Sequence, residues 1–278
     1  ITPPLKYDRN VSKELVETIS EAIASLVSMS VATGALIEPR SQLSGDVAGM
    51  LVDVPDFSAG AWIKRAVRPL GESYSCLDFG CGNAAHKRAL EASGAFWTGC
   101  DLVDSIDPKS LARKGSDMAD QVVTYDGRDL PFEDSSFDCV WSWQALEHVE
   151  DIEKSFSEIN RVLRPNGVFF GSTSFLEPYH ARSTFSYTLY GFNIVCRRHG
   201  FELCEIAPSM DGLSYLLKKL GSILQIAEGP DFHDLIERAD LLGSIRERLT
   251  QEGRAEEWVH IAAQLCGTFR FIARKSAV

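Results

Sequence analysis

Long apolar runs are missing from this chain. The longest stretch without a charged residue, Ala22 to Ile37, is broken by Ser, Thr and Gly. It falls short of the ~18 apolar residues that a membrane-spanning helix requires, so no transmembrane segment is expected. Paired cysteines are missing too: the seven, Cys76, Cys81, Cys100, Cys139, Cys196, Cys204 and Cys266, are odd in number and contain no CxxC step. Several lie in apolar stretches, where a free thiol behaves as a small buried hydrophobe. Neither a disulfide framework nor a metal site is therefore expected, and a reducing, cytoplasmic location is. Positive charge is scarce, with 28 Lys and Arg against 39 Asp and Glu for a net charge of −11. That argues against a nucleic-acid partner, because phosphate binding needs a basic stripe. Neither an internal repeat nor a basic-then-apolar secretion leader is seen.

What is present is the material of a large globular core: 278 residues, 45% of them hydrophobic and 24% charged, enough for one domain or a domain with an appendage. Residues 1–70 alternate helical stretches such as "VSKELVETISEAIASLVSMSV" with breaker-rich loops and read as an N-terminal helical cap. From residue 71 to 278 the pattern is that of a parallel α/β sheet. Strands are expected near 75–80, 96–101, 121–125, 137–143, 167–173, 201–206 and 267–273. Helices are expected at 84–93, 108–114, 151–163 and 185–199, with "RPNG" (164–167) as a stop before the fifth strand. A helical insertion at 208–265 separates the last two strands.

The stretch "CLDFGCGNAAHKRAL" (76–90) passes from the first strand through two spaced glycines into a helix. Glycine there lets backbone approach a ligand and aims the helix N-terminus at it; alone, Gly80-Cys81-Gly82 reads equally well as a tight turn only. Asp101 changes the weight of the motif. It ends the second strand, 21 positions after Gly80, where a carboxylate can accept both hydroxyls of a ribose. The third glycine of a dinucleotide loop is absent, and Asp78 stands just before the turn. A carboxylate at that point repels a pyrophosphate but suits a ligand bearing an ammonium and a sulfonium, which favours S-adenosyl-L-methionine (SAM).

With "LDFGCGNA" (77–84), "GCDLVDS" (99–105), "YDGRDLPFEDSSFDCVWSWQALEHVED" (125–151) and "EINRVLRPNGVFF" (158–170), the chain resembles the class I SAM-dependent methyltransferases, in the subgroup that includes the ubiquinone and menaquinone biosynthesis enzymes. The resemblance runs over roughly 74–206. It implies a Rossmann-like seven-stranded sheet with helices on both faces. It also implies cofactor contacts from Asp78, Gly80 and Gly82 to the methionine and ribose part, from Asp101 and Leu102 to the ribose, from Asp126, Gly127 and Arg128 around the adenine, and from Trp143 and Gln144 on the methionine side. Ala84 departs from the family, many of whose members have glycine there; no loss of binding is expected.

Methyl transfer to a hydroxyl calls for a base. His148 follows the fourth strand, at the crevice edge where ligands of open α/β sheets sit, and His180 ranks with it as an alternative base. Glu147 is placed to cap the following helix. In "FLEPYHARSTFSYTLYGF" (175–192), Glu177, Tyr179, Tyr187 and Tyr190 form a polar-aromatic group suited to a sugar or phenolic ring, in a segment that more loosely resembles methyltransferases of polysaccharide and lipid-linked sugar pathways. The same aromatics could equally pack beneath later helices. The function expected is transfer of a methyl group to a small-molecule or glycan acceptor, at oxygen before nitrogen or carbon, by a chain that can form a homodimer. A SAM-binding scaffold without chemistry is the competing reading.

Overall fold

The structure, a computed structural model, describes residues 45–54, 56, 58–105, 121–223 and 243–276, together with Glu14, Thr18, Glu21, Ala22 and Ser25 of the first helical stretch. The helix expected at 108–114 and most of 11–31 lie outside the described residues. The chain divides into two compact units. The larger comprises Gly49–Phe175, His180–Ala207 and Phe269–Val278; the smaller comprises Ile1–Ala48, Leu176–Tyr179 and Pro208–Thr268.

The sheet is built from β1 (Tyr74–Phe79), β2 (Ala95–Leu102), β3 (Val122–Tyr125), β4 (Phe137–Trp143), β5 (Leu163–Ser174), β6 (Phe201–Pro208) and β7 (Thr268–Lys275), in the order β3-β2-β1-β4-β5-β7-β6. The pairs β2–β3, β1–β2, β1–β4 and β4–β5 are parallel. Ser276 N–H donates to the Gly200 carbonyl and Ser209 N–H to the Thr268 carbonyl. The end of β7 thus meets the start of β6, and β7 runs antiparallel. All seven expected strands form, and the strand order reverses between β1 and β4, where ligands of such sheets bind.

Strands covered on both faces read as near-continuous apolar runs, and β1 and β4 are buried along almost their whole length. On one face α2 (Ala59–Val67) contributes Trp62, Ile63, Ala66 and Val67 to a core with Cys76, Trp97, Cys139, Trp141 and Phe170. Its N-terminus is capped by Ser58, whose hydroxyl accepts from Ala61 N–H at 3.2 Å. On the other face, aromatic rings from α4 (Ile152–Val162) and α5 (Leu189–Arg198) interlock with the strands. Phe156 meets Phe169 at 5.5 Å between centroids, Phe169 meets Phe271 at 4.9 Å, and Phe192 meets Phe271 at 4.7 Å. Edge-to-face contacts of this kind add to the area the rings bury.

Two expectations need correction. "RPNG" does not precede the fifth strand but lies inside it: β5 pairs Leu163 with Phe137 and then Val168 with Cys139, a register shift that bulges the four residues out. Asn166 takes the left-handed turn of that bulge at φ 61°, a conformation that asparagine tolerates. The helix expected at 84–93 shrinks to α3 (Lys87–Glu91) because Ala84 is itself left-handed, at φ 56°, and cannot belong to a right-handed helix. In the smaller unit, Gly45–Ala48 forms a single helical turn (α1). The insertion supplies α6 (Gly212–Ile223), α7 (Gly243–Gln251) and α8 (Trp258–Leu265), while 224–242 of the expected helical insertion lie outside the described residues.

The central pair β4–β5 approaches so closely at Gly171 that a Cβ there would stand 1.6 Å from the Ser142 carbonyl oxygen, whereas one on Gly60 of α2 would meet nothing within 4 Å. Gly171→Ala is expected to lower unfolding stability by about 3 kcal/mol or more. Gly60→Ala is expected to leave it unchanged or raise it by up to about 1 kcal/mol. Urea unfolding of the two variants beside the parent chain checks both.

Candidate active site

The turn after β1 is held open by backbone geometry. Gly80 and Gly82 have φ of 74° and 49°, the region that glycine enters without steric cost. At Gly80 a side chain would also collide with Ala145, whose Cβ would be 2.3 Å away. The N–H groups of Gly80 and Cys81 both donate to the Cys100 carbonyl, at 2.8 and 3.2 Å. One residue further along, Gly82 N–H donates to Oδ2 of Asp101 at 2.6 Å, and Oδ1 accepts from Leu102 N–H at 2.7 Å. The glycine turn and the acid at the end of β2 are therefore one bonded unit. The carboxylate also accepts from the Ser105 hydroxyl, and with about four acceptor positions it keeps room for a ligand hydroxyl.

Asp78 lies beneath this turn, 2% exposed, with the Trp97 indole N–H donating to it at 2.9 Å. Burial pushes its pKa up to about 7; the indole hydrogen bond opposes the rise and the charge of Asp101 adds to it. Asp101 is raised as well, by burial first, against the pull of the Gly82 and Leu102 N–H donors. Two neighbouring carboxyls whose ionised forms are disfavoured by desolvation gain from a cationic ligand. That is the electrostatic character SAM requires, and the site residues fit it.

The remaining expected contacts fall around the same edge of the sheet. Asp126 is exposed and closes its own turn, its Oδ1 accepting from the N–H groups of Arg128 and Asp129 at 2.8 and 3.1 Å, with Gly127 between them at φ 88°. Those bonds hold the Asp126 carboxyl below its ordinary range. Trp143 stacks on Trp141 at 5.0 Å and carries the Arg270 guanidinium 5.7 Å from its ring centroid. Gln144 is left-handed at φ 52°, and its side-chain N–H donates to the Ser172 hydroxyl at 3.0 Å.

Of the expected substrate residues, Tyr187 is buried and its hydroxyl donates to the Leu146 carbonyl at 2.8 Å, while Tyr190 on α5 is exposed. Glu177 and the exposed Tyr179 belong to the smaller unit.

His148 and His180 do come together. His148 ends the helical turn Leu146–His148 after β4, His180 lies in the segment after β5, and their rings meet edge to face at 5.0 Å. Glu147 does not cap the next helix, as its position suggested. It is fully buried, its carboxylate accepting from the hydroxyls of Thr173 and Ser174 at 3.1 and 3.2 Å, and the cap of α4 is Asp151, which accepts from Lys154 N–H. Sequence reasoning also missed Trp97 and His86, the latter 5.3 Å from both Trp141 and Trp143. The two-residue alternation of β2 places Trp97 and Asp101 on one side, the signal by which Trp97 was findable.

Comparison with known proteins identifies the fold. Residues 77–171 match the family model described as a methyltransferase domain. Those residues carry a methyltransferase domain, and the matched relatives support a SAM-dependent enzyme of class I. It is 33% identical over 103 residues to sterol 4-C-methyltransferase strm-1 of Caenorhabditis elegans, a match covering 36% of this chain and 31% of that protein. It is 32% identical over 140 residues to 27-O-demethylrifamycin SV methyltransferase of Amycolatopsis mediterranei, covering 48% of this chain and 44% of that one. The matches thus span less than half the length of these relatives. Phosphoethanolamine N-methyltransferase 2 of Haemonchus contortus, solved in complex with SAM, superposes with a TM-score of 0.52 at 22% identity over 85% of this chain and 58% of that one, a likeness of fold.

The methyltransferase domain holds Asp78 at a cost that depends on pH. With a pKa of about 7 in the fold and 3.8 as its ordinary value, the folded state binds the extra proton between those limits. Asp78 therefore destabilises the ligand-free protein progressively as pH rises from 4 to 7, and fully above 7. Asp78→Asn should raise the Tm of the ligand-free chain at pH 8 by roughly 3 °C or more, and this advantage should vanish as pH approaches 4. Thermal unfolding of both proteins across that range checks it.

Proposed function

We propose that this chain transfers a methyl group from SAM to an oxygen of a small-molecule acceptor. The observation that supports this most is the bonded unit of the Gly80–Gly82 turn and the Asp101 carboxylate, set above the buried Asp78. SAM supplies a methyl group on a positively charged sulfur. Around it, the chain's own groups take the roles that the sequence suggested. Asp101 and Leu102 engage the ribose, Asp78, Gly80 and Gly82 the amino-acid side, Asp126, Gly127 and Arg128 the adenine, and Trp143 and Gln144 close the methionine end. Holding the acceptor oxygen in line with the sulfur–methyl bond, in a site screened from water, supplies much of the acceleration. An imidazole nitrogen of His148 or His180 receives the acceptor's hydroxyl proton.

Oxygen is favoured as the acceptor atom because two imidazoles, 5.0 Å apart, follow the C-terminal ends of β4 and β5, and a base matters most for a hydroxyl. For a sugar or phenolic ring, Tyr190 on α5 has the exposure that a stacking platform needs. No described helix is long and apolar enough to cross a membrane, and we propose cytoplasmic action, as monomer or homodimer.

Calorimetric titration with SAM and with S-adenosylhomocysteine, followed by mass-spectrometric screening of sugar and phenolic acceptors for a methyl mass gain, tests the proposal. Both ligands should bind, and Asp101→Ala should weaken both by roughly 10- to 100-fold, the worth of a charged hydrogen-bond acceptor, without loss of fold by circular dichroism. Unchanged affinity in that variant would remove the cofactor assignment. Binding without methyl gain on any acceptor would leave the scaffold reading in its place.

A further inference from the structure

Glu147, His148 and His180 each offer a ligand atom, and these atoms all lie within 4.8 Å of one another. We propose that the three form a binding site for an imidazole-preferring divalent cation such as Zn2+. Cysteine spacing gave no reason to expect one, but these donors are nitrogen and carboxylate oxygen, the set that holds zinc and its first-row neighbours in open sites.

Three features of the surroundings support a built site. Glu147 is fully buried, and its two carboxylate oxygens are oriented by separate donors on β5, Thr173 and Ser174. Hydroxyls that fix a carboxylate in this way are the outer partners of metal ligands, and a cation facing a buried carboxylate offsets its desolvation. The segment carrying His180 is tied to the turn carrying the other two donors. Thr184 N–H and Phe185 N–H donate to the Glu147 carbonyl at 2.7 and 3.2 Å, the Thr184 hydroxyl donates to the Val149 carbonyl at 2.6 Å, and the Tyr187 hydroxyl donates to the Leu146 carbonyl at 2.8 Å. The donors come from two elements already fixed against each other, so binding needs only small side-chain rotations. The edge-to-face imidazoles, at 5.0 Å and 87°, can converge on one centre without stacking.

Three protein ligands leave coordination positions open, as in catalytic rather than structural zinc sites. On the transfer proposed above, an open position would take the acceptor oxygen and favour its deprotonation, with the proton released to water; His148 and His180 would then act as ligands rather than as the base. The cation site itself does not depend on that reading.

The test uses the full chain freed of metal by chelator and dialysis, titrated with Zn2+ by calorimetry and with Co2+ by visible absorption. One cation per chain should bind, with Co2+ showing the d–d bands of a low-coordinate nitrogen–oxygen site. His148→Ala and His180→Ala should each abolish those bands. Thr173→Val should weaken Zn2+ binding by about tenfold or more. Because Glu147 is buried and its replacement can unfold the chain, His180→Ala is the decisive variant, with S-adenosylhomocysteine binding as its control for folding. Absence of stoichiometric binding, or binding and bands unchanged in the His148→Ala/His180→Ala double variant, would overturn the site. Acceptor methylation is scored separately: cation binding without methylation retains the site and removes the transfer, and the reverse outcome removes the site alone.

Discussion

The hydrogen bond from Gly82 N–H to the Asp101 carboxylate, at 2.6 Å, couples the end of β2 to the loop after β1, and much of the domain is arranged so that it can form. It needs Gly80 and Gly82 in left-handed conformations, which glycine enters without steric cost. It needs β1 and β2 in parallel register, Asp78 opposite Gly99 and Phe79 opposite Cys100, so that the loop and the acid emerge at one level. The acid is also largely desolvated where the bond forms, which raises its pKa. The cost of that burial is borne by packing elsewhere, chiefly by the aromatic core on the α4/α5 face and the Trp62–Trp141 core on the other.

The periodicity of apolar residues made the sheet legible from sequence, because buried parallel strands leave nearly unbroken hydrophobic runs between breakers. Local exceptions were not legible. Asn166 and Ala84 adopt positive φ without being glycine, so the bulge in β5 and the shortened α3 depend on tertiary pairing that no local propensity encodes. The glycine turn and Asp101 could be placed because both belong to one local strand–turn–helix–strand unit, β1–α3–β2.

Glu147 shows the other limit. Its place two residues after Ala145 and before an amphipathic helix suggests a cap, yet its side chain turns inward to Thr173 and Ser174 on the neighbouring strand. Those partners are separated from it by α4 and most of β5, and only the parallel pairing of β4 with β5 brings them near. The meeting of His148 with His180 has the same origin: both histidines were singled out from sequence, but their contact is a property of sheet order.

The antiparallel return of β7 has an evolutionary corollary. Since β6 leaves the sheet where β7 re-enters it, the base of the insertion is closed by Ser209 N–H to Thr268 O at 2.9 Å and Gly267 N–H to Met210 O at 2.7 Å. The segment between those bonds is topologically a hairpin loop, and the entropy of closing a loop grows only slowly with its length. Lineages can therefore lengthen, shorten or exchange this segment without rethreading a strand, which makes the β6–β7 junction a natural point for diversification.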